Sequence, residues 1–167
     1  MQSQDCEFMV PGVLPFFECM FANRETDYKL YGGSRLILAG SNFLAKKAAE
    51  LERLIPQALA PYPEFVAPAD FEHLKELIGR GVKMGEGWLL PAEIAELIEK
   101  GYGNVVCAQP FGCLPNHIVG KGVIRTIKQR YQNANICPVD YDAGASKVNQ
   151  ENRIKLMLAV AREGAEA

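Results

Sequence analysis

The 167-residue sequence lacks several of the patterns that define large protein classes. No run approaches the ~18 apolar residues that a spanning helix needs, so no membrane segment is expected. The opening MQSQDCEFMV has no basic patch followed by an apolar core, and no secretory signal is expected. Cysteine occurs five times, an odd number at irregular spacing with no CxxC pair. That pattern offers neither a disulfide framework nor the two close pairs of a closed zinc site. Reduced thiols in a cytoplasmic protein are the simpler expectation. There is no GxGxxG and no Walker sequence, so nucleotide binding has no local support. The formal net charge of −2 argues against a nucleic-acid partner. Lys121, Arg125, Lys128 and Arg130 form the densest basic group and read as a solvated helix face.

What is present is ordinary globular material, with 49% apolar and 23% charged residues in a length that suits one domain with a proper core. The first 33 residues read as an N-terminal arm or extra element, either a short strand and a helix or a segment that covers something else. Residues 34–167 read as a single α/β domain. Ser34 to Ala39 is expected to be a short buried strand ending at Gly40, with a helix capped by Ser41 or Asn42 running to Pro56. Pro61, Pro63 and Pro68 mark a loop, and Asp70 caps a helix that carries Phe71, Leu74, Leu77 and Ile78 inward, with His73 exposed. A further helix begins near Pro91, with Ile94, Leu97 and Ile98 inward and Glu93, Glu96 and Glu99 outward.

The final third is clearest. Asn104 to Ala108 and Asn135 to Asp140 read as strands, with Pro138 implying an edge or a bulge. His117 to Tyr131 is the helix between them, and Ser146 caps the last one. Two strands joined by a helix make a right-handed parallel crossover. The expected class is therefore α/β: an open, layered, Rossmann- or flavodoxin-like sheet, mostly parallel, with helices on both faces.

Ligands in such sheets bind beyond the carboxyl ends of the strands. Two loops lie there, Gln109 to His117 and Tyr141 to Ser146. Cys113 follows Gly112 and precedes Asn116, a plausible N-cap whose helix end would favour a thiolate on the cysteine. The plainer reading is a small buried hydrophobe, which fits Cys107 and Cys137 inside their strands better than Cys113 on its loop. His117 sits at the first turn, where it either meets a ligand or makes a structural hydrogen bond. Gly120 and Gly122 point to a close backbone approach or a later helix start. Asp140 and Asp142 flank Tyr141, with Gly144 just beyond, and serve turn formation as readily as binding. Glu86 and Trp88, in Gly85-Glu86-Gly87-Trp88, form either a site wall or a tryptophan anchor for a tight turn.

Three segments carry a resemblance: GEGW at 85–88, NVVCAQPFGCLPNHIVGKG at 104–122 and DYDAGASKVNQENRIKLML at 140–158. Together they resemble the C-terminal part of the activase-related proteins linked to 2-hydroxyacyl-CoA dehydratases. The strong match covers roughly residues 80–162, with a looser one back to Ser34. The resemblance implies an α/β domain that contributes one cysteine, at the position of Cys113, to a [4Fe–4S] cluster. It also implies partners among the remaining domains or subunits of a dehydratase/activase system, and an acyl-CoA substrate for the whole. Full-length relatives are far longer, and neither their ATP-binding domain nor the other expected cluster cysteines lie in this chain. It thus reads as a piece of a longer protein or a shortened paralogue, not catalytic alone. A docking module without a cluster is the alternative.

Overall fold

A computed structural model describes residues 6, 8–54 and 74–166. The expected loop of prolines, the helix stop at Pro56 and the start of a helix at Asp70 with Phe71 and His73 all lie outside those residues. The chain divides into two compact units, Met1–Glu72 and His73–Ala167.

The first unit is a helical hairpin. Helix α1, Leu14–Tyr31, begins with Pro15 in its first turn, where a missing N–H costs nothing. It ends at Gly32, whose φ of 73° suits the reversal and whose N–H donates to the Tyr28 carbonyl at 3.0 Å. Helix α2, Arg35–Glu52, follows after Gly32, Gly33 and Ser34, a connection short enough to make the two helices packed neighbours. The strand expected over 34–39 is therefore a helical turn. A short apolar run does not separate a strand from a buried helix by itself. Gly40 is also not a terminator: the helix runs straight through it, and open space surrounds its Cα. Within this unit Pro15, Glu18, Cys19, Ser41 and Ala48 are buried.

The second unit is mixed α/β. Leu74 is buried, but Leu74–Ile78 forms turns rather than the α-helix expected there, with Leu77 N–H closing on the Leu74 carbonyl at 2.9 Å. Helix α3, Leu89–Glu99, starts two residues before Pro91. It buries Leu89, Pro91, Ala92, Ile94, Ala95, Glu96 and Leu97, so apolar contacts surround most of it. Glu96 is consequently not outward as expected; it lies 4% exposed and pairs with Lys100 at 2.7 Å. Glu93 is half-buried, and only Glu99 is exposed.

Strands β1, Asn104–Pro110, and β2, Asn135–Tyr141, pair in parallel with Asn104 opposite Asn135 and Pro110 opposite Tyr141. Between them run a π-helical turn, Pro115–Gly120, and helix α4, Lys121–Arg130. The expected single helix from His117 therefore starts earlier and with wider winding. Helix α5, Lys147–Glu166, closes the unit. Alternate residues of a strand face opposite sides. Asn135 and Cys137 meet the α5 carbonyls of Met157 and Arg153 at 2.9 and 3.6 Å. Gln109 and Asp140, paired in register, instead meet Asn116 and Lys121. Helices thus cover both faces. The core comprises Trp88, Val105, Val119, Ile127, Ile136, Val139, Met157 and Leu158 among others. Two strands make a smaller sheet than the Rossmann- or flavodoxin-like arrangement expected.

Pro138 stands in register with Cys107, on an edge strand and without a bulge. Tyr141 accepts from Phe111 and Asn135 donates to Gly103, so the odd-numbered β2 residues direct their backbone toward β1. Pro138 is out of that phase, and its missing N–H costs the ladder nothing. Its carbonyl accepts from Arg153 at 2.5 Å, and the Asp140 carbonyl accepts from Gln150 at 3.0 Å.

Candidate functional site at the end of the first strand

The chain leaves β1 through a turn that the Cys113 N–H closes on the Pro110 carbonyl at 3.2 Å. Gly112 occupies the third position with a φ of 70°, a conformation that side chains resist and glycine accepts. Phe111 stands out at the tip, and Cys113 follows, half-buried. The Cys113 carbonyl accepts the His117 N–H at 3.0 Å.

Asn116 is not the expected N-cap. It lies inside the π-helical turn, whose start has no side-chain cap, and its Nδ2 donates to Cys113 Sγ at 3.1 Å. The Asn116 carbonyl in turn accepts the Lys121 N–H, five residues on, and Gln109 Nε2 at 3.1 Å. Gln109 is fully buried. A wide turn carries an extra residue per repeat and often marks functional positions; here it brings one amide onto the thiol and a second onto the backbone behind it. Cys113 is thus half-buried, with one side-chain donor on its sulfur.

Behind the turn, Asp140 accepts from Lys121 Nζ at 2.9 and 3.2 Å. His117 Nδ1 is 3.9 Å from the same carboxylate, too far for a hydrogen bond. The Lys121 bond holds the Asp140 carboxyl below its usual range. A Cβ at Gly120 would sit 3.8 Å from Gln109 Nε2, an ordinary contact, whereas one at Gly122 would meet open space. Sequence reasoning weighed Asp140 and Asp142 equally, but Asp140 is the one tied to the π-helical turn. Asp142 accepts the Gly144 N–H at 2.8 Å and shapes its own turn. The two loops start side by side, joined by the Phe111 N–H to the Tyr141 carbonyl at 3.1 Å. Gln109 and Lys121 were not singled out for this site. A polar residue inside an apolar strand was the available signal for Gln109.

The glycine turn reaches this region through its backbone. Gly85 and Gly87 have φ of 61° and 48°. A Cβ at Gly85 would sit 3.0 Å from the Pro115 ring, and one at Gly87 would collide with the Val82 carbonyl at 2.2 Å. Trp88 is turned inward, 3% exposed, with the Arg80 guanidinium 5.1 Å from its ring centre. It anchors the turn rather than walling a site, and Glu86 rides on the turn it anchors.

The remaining cysteines differ. Burial pushes the Cys107 thiol up to about 11 and raises that of Cys137 as well. Both residues are half-buried, and burial disfavours the thiolate form of each. Cys19 is buried in α1, and Cys6 is half-buried. Among the described residues no group of three or more histidines, cysteines or carboxylates could hold a metal ion. Among the described residues Cys113 could offer one sulfur to a cluster, and no complete cluster site is formed. No helix among the described residues is long and apolar enough to cross a membrane. No family model, curated protein or solved structure matches this chain at a significant level.

Proposed function

We propose that the second unit is a cysteine-presenting α/β module of a 2-hydroxyacyl-CoA dehydratase/activase-related system, supplying Cys113 as one ligand to a [4Fe–4S] cluster completed by other domains or subunits. The observation that supports it is the placement of Cys113: half-buried, beyond a parallel strand, with Asn116 Nδ2 fixed on its sulfur. The QPFGCLPNHI resemblance supplies the chemical identity. In this reading β1 and β2 belong to a larger open, Rossmann-like sheet, the protein works in the cytoplasm, and the chain alone neither hydrolyses ATP nor dehydrates a substrate. Bound acyl-CoA belongs to the complete assembly.

The test is anaerobic iron–sulfide reconstitution of the assembly that contains this chain, read by iron content and visible absorbance. Cys113→Ser should lose the cluster absorbance, and Cys137→Ser should keep it. A full cluster in Cys113→Ser ends the assignment.

A second reading, a docking module, is favoured by α2, where Leu36, Ile37, Phe43, Leu44 and Leu51 are exposed together. It expects the chain to associate with the remaining subunits through the first unit. A monomer that associates with none of them counts against it.

A further inference from the structure

Helix α4 and the edge of β2 border a shallow groove of about 590 Å³, wide open to solvent and lined by Lys121, Ile124, Arg125, Lys128, Gln129 and Pro138. That is the size range of sites for small organic ligands. Lys121, Arg125 and Lys128 are three and four residues apart, so they share one face of the helix. Their fates differ. Lys121 is held by Asp140 at 2.9 Å, whereas Arg125 and Lys128 have no carboxylate partner among the described residues. Between these cations lie the aliphatic Ile124 and the Pro138 ring. The basic group is a solvated helix face, and the shallow groove beside it sets apolar surface next to two of its cations.

We propose that this groove binds a small phosphorylated ligand, its phosphates held by Arg125 and Lys128 and a flat apolar group resting on Ile124 and Pro138. A guanidinium matches phosphate oxygens in a two-point contact and an ammonium adds a mobile charge, so the pair suits a di- or monophosphate better than a carboxylate. Gln129 at the rim supplies both a donor and an acceptor for polar edges. The site is distinct from the Cys113 turn and does not depend on the iron–sulfur reading.

The experiment titrates the full chain with ADP, pyrophosphate and adenosine by calorimetry. ADP should bind one per chain with a dissociation constant below about 1 mM, and adenosine should bind at least about tenfold more weakly. Affinity should fall as salt rises from about 0.01 to 0.15 M. Arg125→Ala combined with Lys128→Ala should weaken ADP by about tenfold or more, with an unchanged circular dichroism spectrum because both side chains are exposed. Lys46→Ala, an exposed cation in the first unit, should change nothing. Absence of binding by ADP and pyrophosphate alike overturns the proposal, as does equal binding of adenosine. Pyrophosphate binding as tightly as ADP removes the flat group from it. A polyglutamate peptide that outcompetes ADP gives the groove to an acidic protein segment instead.

Discussion

The two units use apolar side chains in opposite ways. In the second, Ile127 and Val139 are completely buried and Trp88, Leu89 and Ile136 nearly so, packed between a sheet and its helices. In the first, the buried positions of the hairpin are small or polar, while Leu36 is 82% and Ile37 64% exposed. A side chain in water contributes little of the burial free energy that drives folding, about 25 cal/mol per Å² of apolar area removed. The comparison teaches that composition alone does not locate the core: both units are rich in leucine, isoleucine and valine, and among the described residues only the second encloses them.

The contrast is broken or sharpened most strongly by core truncation. Ile127→Ala should destabilise the second unit by about 2–5 kcal/mol, whereas Leu36→Ala should change stability by no more than about 0.5 kcal/mol. Denaturant unfolding followed by the fluorescence of Trp88, the single tryptophan, and by circular dichroism reads both. Equal shifts would erase the distinction.

Gln109→Leu comes next. It removes one of two donors from the Asn116 carbonyl, which keeps the Lys121 N–H, and should cost about 0.5–1.5 kcal/mol in the Trp88-monitored transition. An unchanged midpoint would mean that this buried amide does not support the turn.

Glu93 gives the second unit a pH dependence. Burial, followed by the charges of Glu86 and Glu96, raises its carboxyl from 4.5 to about 8. Between those values the unfolded chain has released the proton that the folded chain keeps. Folded protein then binds more protons, so stability is fully present below 4.5 and is lost as pH rises toward about 8. Glu93→Gln should flatten that slope; unfolding midpoints across the window check it, and a slope that survives in the variant would contradict the assignment.

A comparably small effect is at Tyr131, whose hydroxyl donates to Glu99 and, through burial first and that bond second, is raised to about 12. Tyr131→Phe should cost about 0.5–1.5 kcal/mol by the same unfolding assay. A larger loss would place more of the α3–α4 packing on this exposed pair.

Both strands of the second unit were legible because NVVCA and NICPV are short, β-branched runs with turn residues at their ends. Their parallel pairing followed from the helix between them. SRLILAG was misread for the same reason, since a short apolar run before a glycine looks alike in a strand and in a helix. The inward turn of Glu96 was invisible because its neighbours at helical spacing are also charged; the surrounding packing, not its own periodicity, buries it. At the candidate site Cys113, Gly112 and the paired loops were readable from loop position and glycine conformation. The π-helical winding was not. It moves Asn116 from a cap onto a sulfur, and no pattern in PNHIVG distinguishes that winding from an ordinary helical start.

The arrangement around Pro138 decides in which direction this sheet can be extended. A neighbouring strand laid along the outer side of β2 would find no donor at Pro138, and the acceptors of Pro138 and Asp140 already engaged by Arg153 and Gln150. That flank is poorly suited to templated pairing, a device that guards exposed strands against unwanted assembly. A third strand would meet no such side-chain block alongside β1, among the described residues, where Asn104 and Ala108 stand exposed.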